Sequence, residues 1–217
     1  MTTLIAVFCL LAGFSAAVAD TMGRRSEYGV LKVLAATAYI VFALRLGATA
    51  TLYGQLVLVA LAFSWVGDVF LIGTGRLFLV GLASFLLAQL VYAGAFVVRG
   101  VDLVPGVIGA AVMAVVGFSV MRWLQRADLP GPYRAPVAAY LAAIGVMVAL
   151  ALGTAWPDLA VGGNWAVTGR SILLGAAAFA VSDILVARQR FVQPDAWNRL
   201  VGLPLYLAAQ LLLASSV

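Results

Sequence analysis

Apolar residues fill long, almost unbroken runs in this chain, and polar residues gather in the short gaps between them. A helix that crosses a bilayer needs about 17–25 mostly apolar residues. Eight runs qualify: 3–19, 30–46, 53–73, 77–98, 103–121, 134–153, 166–187 and 200–216. The gaps carry turn chemistry. Gly73–Arg76 (GTGR) reads as a tight hairpin, and Arg126–Pro136 (RADLPGPYRAP) is a connector with three prolines. Ala155–Trp165 (AWPDLAVGGNW) and Arg188–Arg199 (RQRFVQPDAWNR) combine Pro-Asp steps with Gly or Asn. No gap is long enough for a soluble domain. The pattern predicts an all-α integral membrane bundle of eight transmembrane helices, a single transmembrane domain over 1–217.

Composition strengthens this reading. Hydrophobic residues make up 65% of the chain and charged ones 10%, with a mean hydropathy of +1.13; soluble domains run at about 45–50% and 25%. The net charge of +5 is spread between apolar runs, so it orients the chain in the membrane and does not mark a nucleic-acid binder. The loops after odd helices, with their flanks, hold Arg24, Arg25, Lys32, Arg76, Arg122, Arg126, Arg134, Arg188, Arg190 and Arg199. The opposite flanks hold Arg45 and Arg99. Positive loops stay in the cytoplasm, so both termini are expected to face away from it. The first run ends in Ala-Val-Ala, like a signal-peptide cleavage site, but no basic residue precedes it; a retained first helix is expected. Cys9 is the single cysteine and histidine is absent, so neither a disulfide, nor a metal site, nor imidazole chemistry is expected. No cofactor is implied.

A few polar residues lie inside the spans. Counting 1.5 Å per residue, Asp68 in helix 3 and Asp183 in helix 7 each lie about 7–8 Å from the arginine-rich end. Lys32 is nearer that surface, Tyr206 is about 10–11 Å in, and Gln89 and Gln210 are about 16–18 Å in. Ala60, Ser64 and Asp68 share one face of helix 3; Gln89 shares a face with Tyr92, and Tyr206 with Gln210. Such stripes turn towards a bundle interior. Small residues and amides also serve as packing contacts between helices, and that reading fits Ser64, Gly67 and Ser182. Lys32 at a helix end either snorkels to the surface or pairs with Asp68. Arg170, near the far end of helix 7, is expected to snorkel outward. Two aspartates at matched depth are not explained by one ion pair, and an ionisable residue inside a membrane is functional by default.

Four stretches resemble the lysoplasmalogenase-like family of polytopic membrane proteins, called the YhhN family in bacteria. They are FSWVGDVFLI (Phe63–Ile72), GLASFLLAQLVYAGAF (Gly81–Phe96), GAAAFAVSDILVARQRF (Gly175–Phe191) and LPLYLAAQLLLASS (Leu203–Ser216). The family's Gly-Asp maps onto Gly67–Asp68, its Ser-Asp onto Ser182–Asp183, its Lys onto Lys32, and its Tyr and Gln onto Tyr206 and Gln210. Two positions depart from the pattern: Val33 stands where a Pro commonly follows the Lys, and Gln89 stands where a His commonly precedes the Tyr. An amide holds a hydrogen bond but does not shuttle a proton at neutral pH.

The resemblance implies hydrolysis of the vinyl-ether bond of a lysoplasmalogen to a fatty aldehyde and a glycerophospho-ethanolamine or -choline, in a multi-pass cell membrane, as in a bacterial inner membrane. The expected partners are a lysophospholipid substrate and membrane lipid, with no nucleic acid. Protonating the alkene carbon of a vinyl ether leaves an oxocarbenium ion, so the reaction needs a protonated acid, a negative charge and a water. Two carboxyls, one protonated and one ionised, meet that need, as in glycoside hydrolysis. Asp68 and Asp183 are the expected acid and base, in an order the residues leave open. Lys32, Gln89, Tyr92, Tyr206 and Gln210 are expected to line or orient. Lys32, Arg188 or Arg190 would hold the phosphate, with the lipid chain running towards Gln89 and Gln210. The rival reading is a small proton- or cation-coupled transporter, or a lipid-binding membrane protein, using the same aspartates; no long broken helix or inverted repeat marks it.

Overall fold

The computed structural model describes residues 1–73, 75–161 and 165–217. These form eight helices: α1 (Thr2–Thr21), α2 (Arg25–Arg45), α3 (Leu52–Leu71), α4 (Arg76–Arg99), α5 (Leu103–Arg126), α6 (Gly131–Val161), α7 (Trp165–Phe191) and α8 (Ala196–Ala214). Seven, α1 to α7, are long and apolar enough to cross a membrane. The protein is a helical, multi-pass membrane bundle. Each expected span has its helix, and most helices run several residues past the apolar run into polar flanks, because backbone hydrogen bonding does not stop where the hydrocarbon does.

Side chains set the boundaries. Thr51 Oγ1 accepts from the Gly54 N–H (3.0 Å), Asp102 Oδ1 from the Val104 N–H (3.1 Å) and Asp195 Oδ1 from the Asn198 N–H (2.8 Å), capping α3, α5 and α8. Gly23 ends α1 at φ +74°, a conformation that favours glycine. The largest departure from the sequence expectation is α6. It begins at Gly131 instead of 134, with Pro132 in its first turn, where a missing N–H costs nothing. It then continues through Pro157 to Val161, across much of the expected Ala155–Trp165 connector. Asp158 holds that last stretch by an ion pair with Arg99 of α4 at 2.9 Å. Gly162, Gly163 and Asn164 of that connector, and Thr74 of the expected hairpin, lie outside the described residues.

Sequential helices pack as pairs: α1 with α2, α3 with α4, α5 with α6, α7 with α8. Further contacts of α2 with α3, α4 with α6, α6 with α7 and α8 with α1 close a ring, with α8 also reaching α2 and α3. The outlier is α5, which packs on α6 and otherwise bounds the bundle's edge. Its outer face shows Val107, Ile108, Val112, Val115 and Phe118, the placement expected where the solvent is lipid. The interior is built from alanines (Ala35, Ala36, Ala60, Ala95, Ala151, Ala176) around Tyr39, Tyr92, Phe96, Phe179 and Tyr206. In a bilayer, association rests on close packing and hydrogen bonds between helices, and small residues permit both.

Gly67 shows how tight this packing is. A Cβ there would lie 2.6 Å from the Phe85 ring, and Phe85 is itself packed edge-to-face on Tyr206 and Phe179. Gly67→Ala is expected to cost about 1–3 kcal/mol, read as a lowered unfolding temperature in detergent. Its backbone carries Asp68, so α3 meets α4 closely at the point where the carboxylate enters the bundle.

Candidate functional site

Asp68 of α3 is sealed, with 1% of its surface exposed. Its Oδ1 lies 3.2 Å from Lys32 Nζ of α2, which is itself buried and reaches over the Tyr28 ring. Its Oδ2 accepts hydrogen bonds from Tyr206 Oη (2.7 Å) of α8 and Tyr39 Oη (3.1 Å) of α2. The chain of bonds continues inward: Gln210 Nε2 donates to Tyr206 Oη at 2.9 Å, and Tyr92 Oη donates to Gln210 Oε1 at 2.7 Å. One charge is thus balanced by one charge, and the remaining lone pairs are met by neutral donors. A buried pair needs that arrangement to persist.

Asp183 of α7 is held differently. Tyr140 Oη of α6 (2.8 Å) and Gln89 Nε2 of α4 (3.2 Å) both donate to its Oδ2. Among the described residues no cation pairs with it. Among the described residues its Oδ1 accepts no hydrogen bond, and Asp183 lines the cavity. Gln89 Oε1 is buried with no hydrogen-bond partner among the described residues, so the contact of Nε2 with Asp183 is the amide's one side-chain hydrogen bond among them.

Both aspartates line one cavity of about 680 Å³, within the range of small-molecule sites. The mouth lies where α1–α2, α3–α4, α5–α6 and α7–α8 turn, at Gly23, Gly73, Leu124 and Pro194. Its rim carries Arg25, Arg190, Arg199 and Asp20. Arg190 lies over the Phe78 ring at 4.7 Å, and Arg199 faces Asp20 at 3.6 Å. Inward, the walls turn apolar, with Val120, Met113, Leu141 and Ile144 from α5 and α6.

The structure brings together all seven residues singled out from the sequence, in two clusters. Helical spacing placed their faces correctly: Ala60, Ser64 and Asp68 are all buried, and so are the Gln89–Tyr92 and Tyr206–Gln210 pairs. Ser182 donates to the Phe179 carbonyl at 2.7 Å, as a packing residue does, whereas the Ser64 hydroxyl is buried without a partner. Arg170 is exposed, as its expected outward snorkelling requires.

Of the two alternatives for Lys32 the structure shows the pair: it turns inward because Asp68 offers a charge that lipid headgroups would otherwise supply. Two expectations are corrected. Arg188 is not available at the cavity: it binds Asp195 (2.7 Å) and Asn198 (2.6 Å) and fastens the α7–α8 turn. The Asn198 N–H, with Arg188 beside it, holds the Asp195 carboxyl below the usual carboxylate range. The apolar arm runs between α5 and α6, not towards Gln89 and Gln210, which do not line the cavity: Gln89 Nε2 is turned to Asp183 and Gln210 is bonded to Tyr92 and Tyr206.

Tyr39 and Tyr140 escaped the sequence reading. Tyr39 carried a signal, since it stands seven residues after Lys32, two turns along the same face. Tyr140 carried none: a lone tyrosine among Ala, Leu and Val reads as packing until α6 is placed against α7.

Known proteins match this arrangement in sequence. Lysoplasmalogenase TMEM86A of Bos taurus is 32% identical over 165 residues, 74% of this chain and 64% of that protein. Lysoplasmalogenase TMEM86B of Homo sapiens is 33% identical over 171 residues, 76% of this chain and 64% of its own. The chain thus spans just under two thirds of the length of these relatives. No solved structure matches it. The model of the YhhN family matches residues 27–217, a stretch that holds both carboxylate clusters from Lys32 to Gln210, and on that coverage this chain belongs to the YhhN family.

Proposed function

We propose that the protein is a membrane-embedded lysoplasmalogenase-like hydrolase that cleaves the vinyl-ether bond of a single-chain phospholipid, with Asp183 as the group that moves the proton. The observation that carries this reading is Asp183 itself: an aspartate in a membrane bundle that, among the described residues, has no paired cation and has one oxygen free of hydrogen bonds, at a cavity that is charged at its rim and apolar within. The names of the mammalian relatives support the choice of bond.

The cavity orders a lysophospholipid from head to tail. Arg25, Arg190 and Arg199 at the rim hold the phosphodiester, and the chain enters the arm between α5 and α6. The ether then lies at the depth of Asp183. Because Oδ2 is engaged by two donors, the transferable proton resides on Oδ1, which faces the substrate. Oδ1 protonates the alkene carbon one bond away from the ether carbon, and the alkene pair forms the new C–H bond. The oxocarbenium ion that results sits beside the carboxylate just formed. Water adds to the ether carbon and returns its proton to Asp183. The hemiacetal collapses: its hydroxyl loses a proton as the carbon–oxygen bond to the glycerol breaks, the departing oxygen gains one, and the products are the aldehyde and the free alcohol. The net change is the addition of one water.

Asp68 takes an indirect part in this scheme. Its charge is already spent on Lys32 and its oxygens on two tyrosines, so it fixes α2, α3 and α8 around the cavity. In this reading the arginine rim faces the cytoplasm, as the positive-inside rule favours.

The test is aldehyde release from a vinyl-ether lysophospholipid by the purified protein. Release is expected, and Tyr140→Phe is expected to lower kcat about tenfold or more with little change in KM, since a positioning hydrogen bond is lost at the reacting carboxyl. Absence of aldehyde from folded parent protein, with proton-coupled uptake in proteoliposomes, would favour the transporter reading instead.

A further inference from the structure

The arm of the cavity contains a bare position. Along α5, Met113, Gly117, Val120 and Leu124 recur at steps of four, three and four, so they share a face, and all of them line the cavity. The opposite face, with Val112, Val115 and Phe118, is exposed.

Contacts at both ends hold this helix in place. At the far end, a Cβ on Gly109 would lie 3.0 Å from Ala149 Cα, and the Asp102 N–H donates to the Gly153 carbonyl at 3.0 Å. At the mouth end, Leu124 is sealed against Leu129 and Val137, with Ala187 and Phe191 of α7 packed on them. Between these ends Met113 still meets α6, 3.6 Å from where a Cβ on Gly145 would lie, but one turn further along, at Gly117, a Cβ would meet nothing within 4 Å.

Leu124 of α5 and Ala187 of α7 belong to one packed cluster at the mouth end, which serves as a common reference for the two helices. Gly117 is seven residues from Leu124, about 10–11 Å, and Asp183 is four from Ala187, about 6 Å. Gly117 therefore lies about one helical turn deeper than Asp183, beyond the reacting carboxyl, where the tail of a bound lipid continues.

We propose that Gly117 sets the length of chain the protein accepts: its missing side chain keeps open the arm between α5 and α6, and the occupant is the hydrocarbon tail of a single-chain phospholipid. The proposal rests on the lysolipid reading above. The charge pattern argues for that occupant, because a basic rim above an apolar arm matches one phosphodiester on one chain. A residue with a side chain at 117 would end the arm early. Each methylene excluded from the arm costs about fourfold in affinity, and three cost about sixtyfold.

Binding tests this without turnover. The probes are octanoyl, dodecanoyl and octadecanoyl lysophosphatidylcholine, which carry no vinyl ether, and affinity is read from ligand-dependent thermal stabilisation. For the parent, affinity is expected to rise with chain length. In Gly117→Phe the octadecanoyl-to-octanoyl ratio is expected to fall by about tenfold to sixtyfold, with Gly117→Leu intermediate. Val115→Phe, on the lipid face of the same helix, is expected to leave the ratio at the parent value. An unchanged ratio in folded Gly117→Phe or Gly117→Leu overturns the proposal, and so does a parent whose affinity ignores chain length. Length-dependent binding without aldehyde release defeats the reaction and leaves the arm standing.

Discussion

Asp183→Asn is expected to lower kcat for aldehyde release by about 10²–10⁴-fold, the range for loss of a positioned proton donor. The substitution keeps volume and shape, and its amide oxygen still accepts from Tyr140. What it removes is the acidic proton and the carboxylate that follows it. Substrate affinity should change little, because in the proposed scheme the head binds at the arginine rim and the tail in the α5–α6 arm, and the substitution alters neither. The measurement is a steady-state aldehyde assay on purified protein, with lysophosphatidylcholine binding run in parallel to show that the cavity is intact. A folded, ligand-binding Asp183→Asn protein that turns over at the parent rate would remove Asp183 from the chemistry.

The second large effect is on stability, and it separates the two aspartates. Lys32→Met leaves Asp68 as an uncompensated charge, 1% exposed, among Tyr39 and Tyr206. Breaking a buried pair from one side costs about 3–5 kcal/mol, whereas removing both charges is often close to neutral. Lys32→Met alone is therefore expected to be strongly destabilised, and Lys32→Met with Asp68→Asn to recover most of the loss. In the double variant the amide oxygen at position 68 still accepts from the tyrosine hydroxyls. Denaturant or thermal unfolding in micelles reads the cycle, and the coupling is the departure from additivity. Additive losses would mean that the 3.2 Å contact between Lys32 and Asp68 contributes nothing of its own. A recovered double variant that also regains aldehyde release would show that Asp68 serves the site by holding it together.

The two aspartates looked alike in the sequence and differ in the fold. Each sits near the arginine-rich end of an apolar helix, preceded by a small residue, Gly67 or Ser182. Nothing local distinguishes them. The distinction comes from neighbours far along the chain: Tyr206, 138 residues on, donates to Asp68, while Gln89, 94 residues back, donates to Asp183. Gln89 was recognised as standing where a His is common, but its service as a fixed donor to Asp183 depends on how α4 meets α7.

The chain by itself determined the number of helices, which face of each turns inward, which end is basic, and which residues are too costly to leave in lipid. Those follow from apolar run length, the 3.6-residue period and the charge of the gaps, all local properties. Tertiary structure decided that Lys32 turns in to Asp68, that Tyr140 reaches Asp183, and that the cavity extends along α5 and not towards the buried amides. Helical periodicity says which residues share a face, but which faces meet is settled by how small residues such as Gly67 and Gly109 let helices approach one another.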